Sequence, residues 1–136
     1  MSAPDLVHRL DRIMRRIDAE MHRRGPAIDT DRVGPLGSVI LTRLQRMAPT
    51  PVQKLAESMG RDPSQMTRSL KDLEAKGLIV RADLPNDKRV CLLDLTEKGQ
   101  AHVHKLDAVM TGVVEEILEP LSVCEKELLE RLISRL

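Results

Sequence analysis

Apolar residues in the first part of the chain recur at helical spacing. Leu6, Leu10, Ile13, Met14, Ile17 and Met21 stack on one face of a helix that turns about 100° per residue. Arg9, Arg12, Arg15, Arg16 and Arg23 fill much of the remaining surface. Gly25-Pro26 reads as the stop of this helix. A second helix is expected from Gly34-Pro35, because proline's missing N–H would have no partner in a first turn anyway. It presents Leu36, Val39, Ile40, Leu44 and Met47 on one side.

The next two segments share one grammar. In TPVQKLAESMG, residues 50–60, Thr50 reads as N-cap, Pro51 as first helical residue and Gln53 as the capping-box partner. Leu55, Ala56 and Met59 face inward, and Gly60 ends the helix. In DPSQMTRSLKDLEAKG, residues 62–77, Asp62 caps, Pro63 opens, Gln65 completes the box and Gly77 closes. Two short helices across a tight Gly60-Arg61 turn have the shape of a helix-turn-helix. After Gly77 the period changes to two: LIVRA, a polar tip DLPNDKR with Leu84-Pro85-Asn86 as its turn, then VCLLDL. On the second strand Cys91, Leu93 and Leu95 point one way and Val90, Leu92 and Asp94 the other. Helix, helix and hairpin in this order make a winged helix-turn-helix.

Thr96 then caps a long helix carrying Val103, Leu106, Met110, Val113 and Ile117, which Pro120 breaks. Ser122 with Glu125 forms another capping box, ahead of a helix bearing Leu128, Leu129, Leu132, Ile133 and Leu136. The expected fold is mainly α with a small β-hairpin. Residues 1–32 form an N-terminal dimerisation helix, residues 33–95 the winged domain and residues 96–136 the C-terminal dimerisation helices. Apolar stripes at both ends of a short chain meet a second copy of themselves in the expected two-fold dimer.

Composition narrows the function. The chain has 136 residues, 41% hydrophobic and 32% charged, and no Phe, Tyr or Trp. Its core is therefore aliphatic, and it lacks the aromatic platform on which single-stranded nucleic acid stacks. The net charge of +1 is unevenly spread. Residues 1–42 carry seven basic and six acidic groups, residues 43–89 ten and six, and residues 90–136 five and nine. A positive middle suits a polyanion. The N-terminus lacks the apolar block of a signal peptide, and no run is apolar enough to span a membrane, so the cytoplasm is expected. Cys91 and Cys124 lie far apart with no metal-site spacing; Cys91 reads as a small buried core residue. His102 and His104 diverge by about 200° on a helix, too far to chelate one ion, and read as exposed. There is no nucleophile elbow, phosphate loop, paired-carboxylate motif or metal-ligand set, so neither an enzyme nor a cofactor is expected.

On the helix 62–77, Met66, Leu70 and Leu73 mark the buried side, and Ser64, Arg68, Lys71 and Ala75 the opposite one, flanked by Gln65 and Thr67. Hydroxyls, an amide and two cations in the first turns suit a helix in a major groove. Arg68 and Gln65 are the expected base contacts; Ser64, Thr67 and Lys71 are expected at phosphates. A winged-helix protein-interaction module without a DNA role is the alternative reading, against which the charge segregation argues.

The run LAESMGRDPSQMTRSLKDLEAKGLIVR followed by DLPNDKRVCLLDLTEKG resembles the winged-helix core of the MarR family of bacterial transcription regulators. Its most specific part is the wing, Asp87, Arg89 and then Leu95-Thr96-Glu97-Lys98-Gly99. The resemblance implies a homodimer, more often a repressor, whose two winged domains straddle a pseudo-palindromic double-stranded operator. It implies Arg89 in the minor groove, oriented by a salt bridge to Asp87. Lys88 stands where the family often has a second arginine; it keeps the charge and the attraction to phosphate but lacks the planar fork. The resemblance also implies release by a small-molecule effector bound between the dimerisation helices and the winged domain, and no residue here identifies that molecule.

Overall fold

The computed structural model describes residues 2–84 and 86–136, and the backbone without the side chain at Lys88. Pro85, placed in the wing turn by its sequence, lies outside the described residues. The elements run α1 (Ala3–Ile28), α2 (Gly34–Met47), β1 (Thr50–Pro51), α3 (Val52–Ser58), α4 (Pro63–Ala75), β2 (Ile79–Leu84), β3 (Asp87–Leu95), α5 (Glu97–Leu118) and α6 (Val123–Ile133). The fold is mainly α with a three-stranded antiparallel sheet in the order β1-β3-β2. The chain divides into a unit of residues 24–107 and a unit of residues 1–23 with 108–136.

Residues 24–107 close their own core. Ile40, Leu41 and Leu44 of α2, Leu55 and Ala56 of α3, and Met66, Leu70 and Leu73 of α4 pack with Leu78, Ile79, Leu93 and Val103. All are aliphatic or methionine, held by interdigitating ridges rather than by ring stacking. Leu41, absent from the stripe read on α2, is fully buried, whereas Val39, assigned to it, is 46% exposed. The core arc of α2 is thus rotated toward Gly37, whose lack of a side chain lets Val33 and Leu73 approach.

Local capping explains the boundaries of α4 and α6. Asp62 N–H donates to Gln65 Oε1 at 3.1 Å, and Ser122 N–H to Glu125 Oε2 at 2.7 Å, each within a capping box. Gly60 and Gly77 take φ of +62° and +73°, the left-handed geometry that ends a helix at little cost only for glycine. Thr96 Oγ1 accepts from Gly99 N–H at 3.1 Å and so caps α5.

Three boundaries differ from the sequence reading. Thr50 does not cap α3. It is buried in β1 opposite Leu93, and Pro51 takes the cap position without a side-chain bond; ladder pairing with β3 holds Thr50 extended. Pro26 does not stop α1, which runs to Ile28 with the proline inside. The residue before proline is pushed out of the helical region partly through its Cβ, and Gly25 has none. The wing is mostly strand, because β2 continues to Leu84 and β3 begins at Asp87.

Two other expectations also change. His102 is buried, with Nε2 lacking a hydrogen-bond partner among the described residues, while His104 is exposed as expected. Cys91 is only half-buried, one residue beyond the Leu92–Leu93 stretch of β3 that pairs with β1, and Cys124 is exposed.

In the other unit, α6 buries no residue at all, and Val113 is the buried side chain of the α5 portion. The α1 stripe is exposed at Leu6, Leu10, Ile13 and Met14, and the α6 stripe at Leu128, Leu132 and Ile133.

Candidate nucleic-acid interface

Helix α4 separates its two faces as its period demands. Met66, Leu70 and Leu73 are buried, and Ser64, Gln65, Thr67, Arg68 and Lys71 are all exposed. Their hydrogen-bonding capacity is not equal. Ser64, Arg68 and Lys71 have no side-chain partner among the described residues and keep their donors available. Thr67 Oγ1 donates back to the carbonyl of Pro63 at 3.3 Å, which commits its single proton. Gln65 spends its carbonyl oxygen on the N-cap of α4. Two-pronged recognition of adenine needs both the oxygen and the amide nitrogen. In this rotamer Gln65 therefore offers only its NH2 group.

The far end of α4 is tied to the wing. Arg81 Nε of β2 meets Glu74 Oε2 at 2.9 Å. Along the hairpin Ile79 pairs with Leu95 and the ladder runs regularly to Asp83 opposite Cys91; the next pair is Leu84 with Asp87. Lys88, Arg89 and Val90 therefore lie within β3 where the ladder shifts register. Extra residues of this kind bend a strand and re-aim its side chains. Arg89 is thrown out at that point, with its side chain 93% exposed. Asp87 Oδ1 accepts from Arg89 N–H at 3.0 Å and from its Nε at 3.3 Å, so one carboxylate oxygen holds both the backbone and the guanidinium. Among the described residues the Nη groups have no partner, which leaves them for another acceptor. The side chain of Lys88 lies outside the described residues.

Two further cations escaped the helix-face reading. Arg43 of α2 and Arg61, just before the N-cap of α4, are exposed and line a shallow cleft with Leu36, Val39 and Met59. The arginine immediately preceding an N-cap was the available signal for Arg61. Among the described residues no group of His, Cys, Asp and Glu is arranged to hold a metal ion. Among the described residues no helix is long and apolar enough to cross a membrane.

Residues 38–91, which span α2 to the start of the wing's second strand, match the model of the MarR family. Over those residues the chain is similar to the MarR family. Solved structures agree over nearly its whole length. A probable transcriptional regulator from Pseudomonas aeruginosa is 27% identical, with a TM-score of 0.64, over 93% of this chain and 92% of that one. The transcriptional regulator Tm0710 from Thermotoga maritima, 21% identical, reaches a TM-score of 0.77 over 97% and 91%. A cysteine-to-serine mutant of MarR from E. coli, solved with operator DNA, is 23% identical with a TM-score of 0.69 over 96% and 92%. The fold is that of MarR-family transcriptional regulators, and within it α3 and α4 are the helix-turn-helix and β2–β3 the wing.

Proposed function

We propose that this chain is a homodimeric MarR-family transcription repressor of double-stranded DNA, released by a small-molecule effector. In this reading α4 enters the major groove of a pseudo-palindromic operator and the wing reaches the minor groove. The observation that carries it is the exposed face of α4, where Arg68, Lys71 and Ser64 hold free donors above a helix anchored by Met66, Leu70 and Leu73. Arg68 is the principal base contact. Gln65 contributes through its amide nitrogen, Ser64 and Lys71 bind phosphates, and Thr67 does so once its hydroxyl turns away from Pro63. Arg89, aligned by Asp87, enters the narrow minor groove, where negative potential is concentrated. Lys88 adds attraction to the backbone, and Arg61 joins it at the N-terminal end of α4. The likeness to a relative solved with operator DNA supports this placement. The division into dimerisation segments, residues 1–32 and 96–136, around a winged domain at 33–95 belongs to the same proposal.

Titration against random duplex at several salt concentrations tests the reading. Affinity should fall steeply as salt rises, because each neutralised phosphate releases counterions; a flat response would overturn it. Arg89→Ala should then weaken binding to a selected operator by roughly tenfold while the protein stays folded. Unchanged affinity would remove the wing from the interface.

A further inference from the structure

The C-terminal end of α4 is bonded into a corner of three segments. Lys76, its C-cap, donates from Nζ to the carbonyl of Arg32 at 2.8 Å and to Asp72 Oδ2 at 2.8 Å. Lys98, in the first turn of α5, donates from Nζ to the carbonyl of Lys76 at 2.9 Å and lies 3.0 Å from Asp31 Oδ1. Thr96 closes the same corner, with Oγ1 donating to the carbonyl of Gly77 at 2.6 Å and its N–H to that of Leu78 at 3.1 Å. Gly99 permits the approach, since a Cβ there would collide with the carbonyl oxygen of Leu78. The loop between α1 and α2 is itself held. Asp29 accepts from Val33 and Gly34 N–H at 2.8 and 2.9 Å, and Arg32 stands at φ +54°, a conformation that needs such support.

These ties add something to the core. The interdigitated aliphatic and methionine packing beneath α4 sets its crossing angle only to within about 15–20°. The lysine and threonine bonds are directional, and they act at the end opposite the reading residues. Helix α4 has 13 residues, about 20 Å at 1.5 Å per residue. A tilt of about 10° about this corner would carry the other end by roughly 3.4 Å, one base-pair step.

We propose that Lys76, Lys98 and Gly99 form a positioning corner that sets the angle of α4 against α5 and the α1–α2 loop, and thereby the half-site spacing that two copies accept. The proposal rests on the DNA-binding reading above. None of the three residues touches DNA in it.

The test uses a duplex selected by the wild-type protein from a randomised pool, with its half-sites then moved apart or together by single base pairs. Wild type should lose about tenfold or more in affinity per step, because each step displaces and rotates one half-site. Lys98→Met, and Lys76→Met with Lys98→Met, should flatten that profile to about threefold and lower the peak by roughly three- to tenfold. Lys98→Arg, which keeps the cation, should restore the sharp optimum. Affinity for random duplex and its salt slope should stay unchanged. An unaltered spacing profile would overturn the corner's role, as would a shallower salt slope, which would mean that the lysines touch phosphates directly. Thermal unfolding checks that the variants are folded, and Lys98→Met alone decides the matter if the double variant is not. A wild-type protein that selects no duplex would instead refute the DNA-binding reading, and this inference with it.

Discussion

The two compact units of this chain handle the same aliphatic residues in opposite ways. Residues 24–107 bury a contiguous set from α2, α3, α4, the sheet and the first turns of α5. Helix α6 buries nothing, and α1 leaves Leu10 51% and Met14 66% exposed although its stripe is regular. A stripe that is apolar by pattern and wet in the single chain is the mark of a surface completed by a partner. In the homodimer proposed above that partner is a second copy, since stripes at both termini suit a two-fold interface.

The largest effect should come from the closed unit. Leu44→Ala deletes a side chain with no exposure, and the cavity should cost about 3 kcal/mol in urea unfolding. A loss under about 1 kcal/mol would show that the core can collapse around the gap. Leu10→Glu addresses the open unit. It should raise the dimer dissociation constant by about a hundredfold in analytical ultracentrifugation, while the winged unit still unfolds cooperatively. A dimer of unchanged strength would take the α1 stripe out of the interface. Within the winged unit, Arg68→Ala should cost about 1–3 kcal/mol on the selected operator and flatten sequence preference. Lys71→Ala should weaken all duplexes alike and reduce the salt slope by about one. Equal behaviour of the two variants would erase the division between base reading and phosphate holding. The smallest effect, about 1 kcal/mol of stability, belongs to Asp62→Ala, which removes the N-cap side chain of α4; unaltered stability would leave the backbone bonds as the whole cap.

Asp62 and Thr50 show where legibility ended. Both precede proline and stand three residues before a glutamine. At Asp62 the cap forms, because every group it needs lies within the same turn. At Thr50 the same signal fails, because Leu93 on a distant strand competes for the backbone. Gln65 carried two roles in the sequence, as capping partner and as base reader, and the structure shows the first using up half of the second. Arg89 was legible as a wing residue, whereas the register shift that presents it depends on how β2 and β3 pair.

The sequence by itself determined the helices, their caps at Asp62 and Ser122, the glycine stops at Gly60 and Gly77, and the buried and exposed faces of α4. These follow from contacts three or four residues apart and from a fixed helical period, so they need no partner from elsewhere. Only the tertiary structure decided that Thr50 is a strand residue, that Leu41 rather than Val39 faces the core, and that His102 is buried while His104 is not. It alone brought Asp31, Lys76 and Lys98 into one corner. Each of these depends on a group far away in the chain, and period and spacing carry no information about which distant backbone or side chain will arrive.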